Sequence, residues 1–270
     1  MELSILIPVY RYDCSPLVAA LHRLCREEGV DYEVLTADDE LLRLGRAGIR
    51  NHLAEQAQGT WLLFIDCDAS VDDDAFIHRY RVAMSSGVSV VCGGLHHAAV
   101  LPSPAVSLRW RYERAADRHR SAAERSRKPY DSFTPFNVLM RRELFLSIRF
   151  DDSLKGYGHE DTLFGAELKR RQVPILHIDN PLVHEGLEPN DVFLEKSRSA
   201  LRNLRLKESQ LADQSPLLRG YRMLCRCHLQ GLVQELFRRR HTQWERKLTN
   251  RAKPSLLLFK LYKIGFYAQL

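Results

Sequence analysis

At 270 residues, with 45% hydrophobic and 27% charged residues, the chain has the composition of a globular protein with room for one α/β domain and an appendage. No run reaches the roughly 18 uninterrupted apolar residues of a membrane span, and six cysteines without CxxC spacing read as reduced, mostly buried thiols rather than a disulfide or zinc framework. The net charge of +6 is uneven: from Asn190 onward 17 basic residues face 6 acidic ones, against 23 basic and 28 acidic before it, so the two parts are expected to do different jobs.

The N-terminus enters "LSILIPVY" with no basic leader and no cleavage site, which reads as a chain without a signal peptide and a cytoplasmic protein. "LSILIPV" (3–9), "YEVLTA" (32–37), "WLLFID" (61–66) and "VSVVCG" (88–93) are near-continuous apolar runs of strand length, the pattern of strands covered on both faces. Between them, 16–27, 43–58 and 72–85 carry apolar residues at helical spacing. This alternation predicts an α/β fold, a mostly parallel doubly wound sheet with helices on both faces. Such sheets bind ligands beyond the carboxyl ends of their strands. Those ends carry Pro8-Val9-Tyr10-Arg11, Asp38-Asp39 and Asp66-Cys67-Asp68, which are expected to face one crevice.

Residues 96–132 hold a proline pair, Trp110 and the arginine-rich "RWRYERAADRHRSAAERSRK" (109–128). Strand character returns at "FNVLM" (136–140) and "PILHID" (174–179). After Pro189 the pattern is helical over 190–208, 215–240 and "PSLLLFKLYKIGFYAQL". The expected division is a first domain over 1–189 and a basic helical extension over 190–270.

Four places could carry chemistry. In "FIDCDASVDDD" (64–74), Asp66 and Asp68 leave a strand together, as ligands of a hard divalent ion would. Ser70 and Asp73 read as a capping box, with Asp72, Asp73 and Asp74 in the first turn of a helix. Glu160 and Asp161 open a helix after Gly156 and Gly158, glycines that permit an unusual backbone path or close approach of a ligand. Acids there either partner the helix dipole or take a proton from a hydroxyl. His184 in "NPLVHEG" (180–186) is either an ordinary core or surface histidine or a metal ligand beside two aspartates. Arg46 and Arg50, one turn apart, either pair with phosphate or face solvent.

Taken in order, "SILIPVYRYD", "RAGIRNHLAEQAQGTWLLFIDCD" and "FNVLMRRELFLSIRFDDSLKGYGHEDTLFGAELKRRQVPILHIDNPLVHEG" resemble a family-2 glycosyltransferase with the GT-A fold. The last segment is similar to the C-terminal catalytic half of β-1,4-galactosyltransferases, polypeptide N-acetylgalactosaminyltransferases and bacterial chondroitin-type polymerases. The resemblance covers about residues 1–187. It implies a GT-A, Rossmann-like sheet with a C-terminal helical appendage. It also implies metal-dependent transfer from a UDP-sugar to a saccharide or lipid-linked hydroxyl, with inversion, in surface polysaccharide biosynthesis. By that resemblance Pro8, Tyr10 and Arg11 line the nucleotide pocket, Asp38 or Asp39 meets the base, and Arg46 is the nucleotide-binding arginine. Asp66 faces the ribose or a metal-bound water, while Asp68 and His184 ligate Mn²⁺ or Mg²⁺. Asp161 is the catalytic base, Glu160 holds a sugar, and Tyr157 stands where galactosyltransferases stack a tryptophan on sugars.

Two departures from the family pattern stand out. Glu40-Leu41 replaces the usual Gly-Ser, and His159 stands where glycine is common. Segment 109–128 reads either as a cover over the donor or as a solvated charged helix. The basic tail suits a membrane surface, reached by a peripheral protein at the inner face, as well as packing on the body or on a second copy in a homodimer. Nucleic acid is not expected, because no binding motif accompanies the charge. The competing reading is a non-catalytic sugar-nucleotide or polysaccharide-binding subunit.

Overall fold

The computed structural model describes residues 1–117, 120–154, 156–212 and 214–270. They form two compact units, one of Met1–Ala98, Asp117–Ser153 and Glu160–Gly186, the other of Ala99–Ala116, Leu154–His159 and Leu187–Leu270. The strands, all in the first unit, are β1 (Leu3–Val9), β2 (Tyr32–Asp38), β3 (Trp61–Ile65), β4 (Ala69–Ser70), β5 (Val90–Cys92), β6 (Leu95–His97), β7 (Asn137–Arg141), β8 (Ile175–His177) and β9 (Leu182–His184).

The main sheet runs β2-β1-β3-β7-β5-β8. β1 is parallel to β2 and β3, and β5 to β8, while β7 runs antiparallel to both β3 and β5. Alternation along each strand sorts its side chains onto two faces. Leu3, Ile5, Ile7, Trp61, Leu63 and Ile65 join the helices Ser15–Glu28 and Phe76–Met84 in one core. Leu6, Leu62, Phe64, Val138 and Met140 join Gly45–Gln56, Arg142–Ile148 and Glu160–Arg170 in the other. β1 and β3 are therefore buried on both sides, which is why their sequences are almost wholly apolar, whereas β2 at the sheet edge is only partly buried. The fold is GT-A.

A small second sheet, β4-β9-β6, pairs Ala69 with His184 and sets His97 beside His184. A buried polar knot holds it. Tyr80 donates to Asn137 Oδ1 at 2.6 Å, and Asn137 Nδ2 donates to the carbonyls of Gly94 and Asn180 at 2.9 and 2.8 Å. Arg125 donates to the carbonyls of Cys92, Gly93 and Ile178. These bonds satisfy backbone groups that a short, irregular sheet leaves over.

The second unit has its own core of Leu108, Phe193, Leu194, Phe237, Leu248, Phe259 and Tyr262. Asn190 Oδ1 caps Leu108 N at 2.7 Å, tying segment 99–116 to the helix Asn190–Leu206.

Three local expectations change. Ser70 does not cap a helix: it lies in β4 opposite Val183, its hydroxyl donates to Glu185, and the helix begins only at Phe76. Asp72, Asp73 and Asp74 therefore precede the helix and pair with His96, Arg79 and Arg23. The span 215–240 is two helices, Pro216–Arg226 and Gln230–Thr249, broken where His228 takes φ +58°. Segment 109–128 is likewise not one solvated helix. It contains the end of Ser107–Asp117 and the short Ala122–Ser126, with Arg109 and Arg125 buried; Arg118 and His119 lie outside the described residues. Of the cysteines, Cys25, Cys67 and Cys92 are buried, Cys227 is exposed, and all six are free thiols.

Candidate functional site

The helix Gly45–Gln56 delivers two arginines to the end of β3. Ile49, Leu53 and Ala54 bury one stripe of it. Asn51 locks it by accepting from Phe150 N and donating to Phe150 O, both at 2.9 Å. Arg50 falls within the buried stripe, 2% exposed, donates to the Arg46 carbonyl at 2.9 Å and pairs with Asp66 Oδ1. Arg46 Nε donates to Glu160 Oε1 at 2.6 Å, and its Nη2 lies 3.7 Å from Asp66 Oδ2. Asp66, Arg46, Arg50 and Glu160 are thus one ion network, assembled from residues up to 114 positions apart.

This network separates two adjacent carboxyls. Burial alone would raise the Glu160 pKa, but Arg46 and Arg50 outweigh it and hold the group below the ordinary carboxylate range. Asp161 is pushed up to about 6, first by burial and then by the Glu160 charge, against the lowering effect of its bonds to Thr162 and of Arg46. Its Oδ1 accepts from Thr162 N at 2.7 Å and Thr162 Oγ1 at 3.2 Å, which fixes the carboxyl at the helix start. A group of this kind is mostly ionised at neutral pH yet basic enough to accept a proton.

Asp68 lies two residues beyond Asp66. Its carbonyl accepts from Glu185 N at 2.9 Å, and its Oδ2 stands 3.2 Å from Nε2 of buried His184. Two ligands on one small ion, with bonds of about 2.1 Å at right angles, sit ~3 Å apart. The donor set and its spacing therefore fit a hard or borderline divalent ion. Gly186 is required here: a Cβ on it would lie 1.9 Å from Asp68 Oδ2. Phe136 and His97 meet the His184 ring edge to face at 5.4 and 5.3 Å. Glu185 extends the arrangement, accepting from Ser70 Oγ at 2.7 Å and Tyr12 Oη at 3.4 Å.

The other strand-end residues are placed as follows. Pro8 lies one residue before the end of β1, in register with Ala37, and Tyr10 follows the strand, 53% exposed. Arg11 has the left-handed φ of +49°, donates to Glu40 at 2.7 Å and stands 5.2 Å from the Tyr10 ring centre. Asp38 and Asp39 serve their own loop, Asp38 Oδ1 accepting from Glu40 N and Asp39 Oδ1 from Gly45 N, each at 2.8 Å.

Tyr157 belongs to the second unit. Its N–H donates to Ser199 Oγ at 3.0 Å, its carbonyl accepts from Asn203 Nδ2 at 3.2 Å, and Lys196 Nζ lies 5.1 Å from its ring centre. The two glycines beside it have a reason other than close approach of a ligand. Both have positive φ, and a Cβ would strike Ser199 Oγ from Gly156 and Ala200 Cβ from Gly158, each at 2.6 Å. They admit the helix Asn190–Leu206.

Sequence reasoning passed over Asn51, Glu185 and His97, and Arg50, for which it left phosphate or solvent open, is buried and paired with Asp66 rather than facing solvent. Arg50 had a readable signal, an arginine inside the apolar stripe of its helix. The others act through partners 85 or more positions away, or from an unremarkable strand.

Residues 42–149, which contain Arg46, Arg50, Asp66 and Asp68, match the model of glycosyl transferase family 2. No curated protein matches the chain by sequence. Among solved structures, it is similar to the mannosyltransferase PcManGT from Pyrobaculum calidifontis in complex with GDP-Man and Mn²⁺, at 12% identity and TM-score 0.50 over 77% of this chain and 64% of that one. Mannosyl-3-phosphoglycerate synthase from Rubrobacter xylanophilus aligns at 17% identity and TM-score 0.49 over 77% and 75%. S. aureus TarS 1–349 in complex with UDP aligns at 16% and 0.48 over 76% and 65%. The chain thus spans slightly less than two thirds of the mannosyltransferase and TarS structures. At these identities the likeness is one of fold. The matched residues include Arg46, Arg50 and Asp66 of the ion network, and Glu160 lies outside them.

Proposed function

We propose that the chain transfers a sugar from a nucleotide-sugar, a UDP-sugar, to a saccharide or lipid-linked hydroxyl, by single displacement with inversion. The observation that carries this is the divided carboxyl pair: Glu160 held ionised by two arginines, and Asp161 beside it raised to about 6. Asp161 takes the proton of the attacking hydroxyl. Glu160, fixed by Arg46, positions a sugar. Arg46 and Asp66 meet the nucleotide, with Pro8, Tyr10, Arg11 and the Asp38-Asp39 loop lining the base side, and Tyr157 offers a ring to a sugar. Asp68 and His184 would hold Mn²⁺ or Mg²⁺, which when bound neutralises charge developing on the departing diphosphate. The solved structures bound to GDP-Man with Mn²⁺ and to UDP support the donor class.

Among the described residues no helix is long and apolar enough to cross a membrane. The helical second unit exposes Leu232, Leu236, Leu257 and Leu261 in a strongly basic segment. We assign it to an anionic membrane surface, where lipid-linked acceptors reside.

The test is a nucleotide-release screen over donors with Mn²⁺ and saccharide acceptors. Wild type is expected to turn over one UDP-sugar, and Asp161→Asn to lose about 10²- to 10⁴-fold in kcat. Full activity in Asp161→Asn would sink the base assignment. Binding of UDP and Mn²⁺ without turnover across the panel would favour a non-catalytic subunit.

A further inference from the structure

Glu160 is assigned above to a sugar, yet its Oε1 is turned to the arginine that serves the nucleotide. It opens the helix Glu160–Arg170, whose Phe164 and Leu168 share one core with Ala47, Leu53 and Ala54 of the helix Gly45–Gln56. Both ends of the Arg46–Glu160 bond therefore stand on packed helices. The Arg46 guanidinium lies between two carboxylates and is bonded to one of them. Its Nε donates to Glu160 Oε1 at 2.6 Å, while Asp66 Oδ2, at 3.7 Å from Nη2, is beyond hydrogen-bond reach. Arg50 fixes the backbone of the same residue by donating to the Arg46 carbonyl at 2.9 Å. Exposure is unequal across the pair: the Glu160 side chain is 9% exposed and that of Arg46 39%. Burial alone would neutralise Glu160, but the two arginines keep it a carboxylate. An arginine that meets a phosphate loses side-chain freedom on binding, and a charge-assisted bond formed beforehand removes part of that loss.

We propose that Glu160 is a positioning residue for nucleotide binding: its buried carboxylate holds the partly exposed Arg46 guanidinium in place for the diphosphate. The proposal rests on the reading of Arg46 as a nucleotide-binding residue given above, and it adds to Glu160 a role that needs no sugar. Glu160 also carries a negative charge, which opposes a diphosphate nearby. Orientation of Arg46 must outweigh that repulsion, so the sign of the effect decides.

The test is calorimetric binding of UDP, which carries no sugar, to the full chain with Mn²⁺ present. A residue that only holds a sugar cannot move that affinity. Wild type is expected to bind UDP, and Glu160→Ala to weaken binding about 3- to 10-fold. Glu160→Gln, which keeps an acceptor for Nε but no charge, should weaken it less. In an Arg46→Ala background Glu160→Ala should cause no further loss, because the effect runs through that guanidinium. Unchanged or tighter UDP binding in folded Glu160→Ala, or a loss that persists in full without Arg46, overturns this role of Glu160 and leaves the nucleotide reading of Arg46 in place. Should Glu160→Ala fail to fold, Glu160→Gln, nearly the same in shape, decides by the same sign. No UDP binding by wild type, or undiminished binding in Arg46→Ala, overturns the nucleotide reading and this proposal with it.

Discussion

In the first unit Arg46 reaches Glu160 across 114 residues and His184 reaches Asp68 across 116. In the second, Arg238 and Arg239 close on Glu235 three and four residues away, and Arg205 on Glu208 three away. Arg198, which reaches Glu245 and Tyr262, and buried Arg109, which reaches Glu188, are exceptions there. The first set is partly or wholly buried at the ends of strands, where a charge pair interacts strongly and a lost partner is costly. The second lies on helix surfaces, where water and salt screen it. Charge pairs in the two places therefore have different consequences: in one unit they specify a site, in the other they keep a helical surface basic and solvated.

The largest stability effect is expected at Arg50. Truncation in Arg50→Ala removes a donor to the Arg46 carbonyl and leaves Asp66, 19% exposed, with only the more distant Arg46. Breaking such a pair should cost about 3 kcal/mol, read as a lower urea midpoint. Arg50→Lys should recover only part of it, since one ammonium cannot reproduce the planar fork. If Arg50→Ala is as stable as wild type, the contrast between the two units fails.

The next effect is on pH dependence. Asp161 must be ionised to accept a proton, so with its pKa at about 6 the kcat/KM profile should be flat above neutrality and fall about tenfold per unit below pH 6. Glu160 raises Asp161, so Glu160→Gln removes that charge and should move the acid limb to lower pH. The position of the limb is diagnostic even though the same variant lowers the plateau by disturbing Arg46. A limb that stays in place, or moves upward, contradicts the assignment of that limb to Asp161.

Sequence and structure meet most closely where local pattern and topology agree. Leu3 to Ile7, Ser4 apart, and Trp61 to Ile65 are apolar because two cores cover them, and that pattern alone placed Asp66 at a strand end. It did not assign Ser70, whose capping signature is overridden by pairing with a strand that begins more than a hundred residues later. Gly156 and Gly158 show the same limit, since glycine reports close approach but not what approaches; here it is Ser199 and Ala200. His97 carried no signal, because its meaning lies in a register with His184 that only the folded sheet creates.

The smallest effect is expected at Glu235, which marks the other end of the comparison. Its carboxylate is held below the ordinary range by hydrogen bonds to Arg238 and Arg239, as in a stabilising cluster. Both arginines, however, are 72% exposed, and each is only a turn away on the same helix. Forming the pairs removes side-chain freedom in return for an attraction that solvent largely screens. Glu235→Ala should therefore leave the urea midpoint unchanged, at low salt and at 1 M alike. A loss approaching that of Arg50→Ala, abolished by 1 M salt, would show that the surface pairs of the second unit are structural and that its charge is not simply a solvated face.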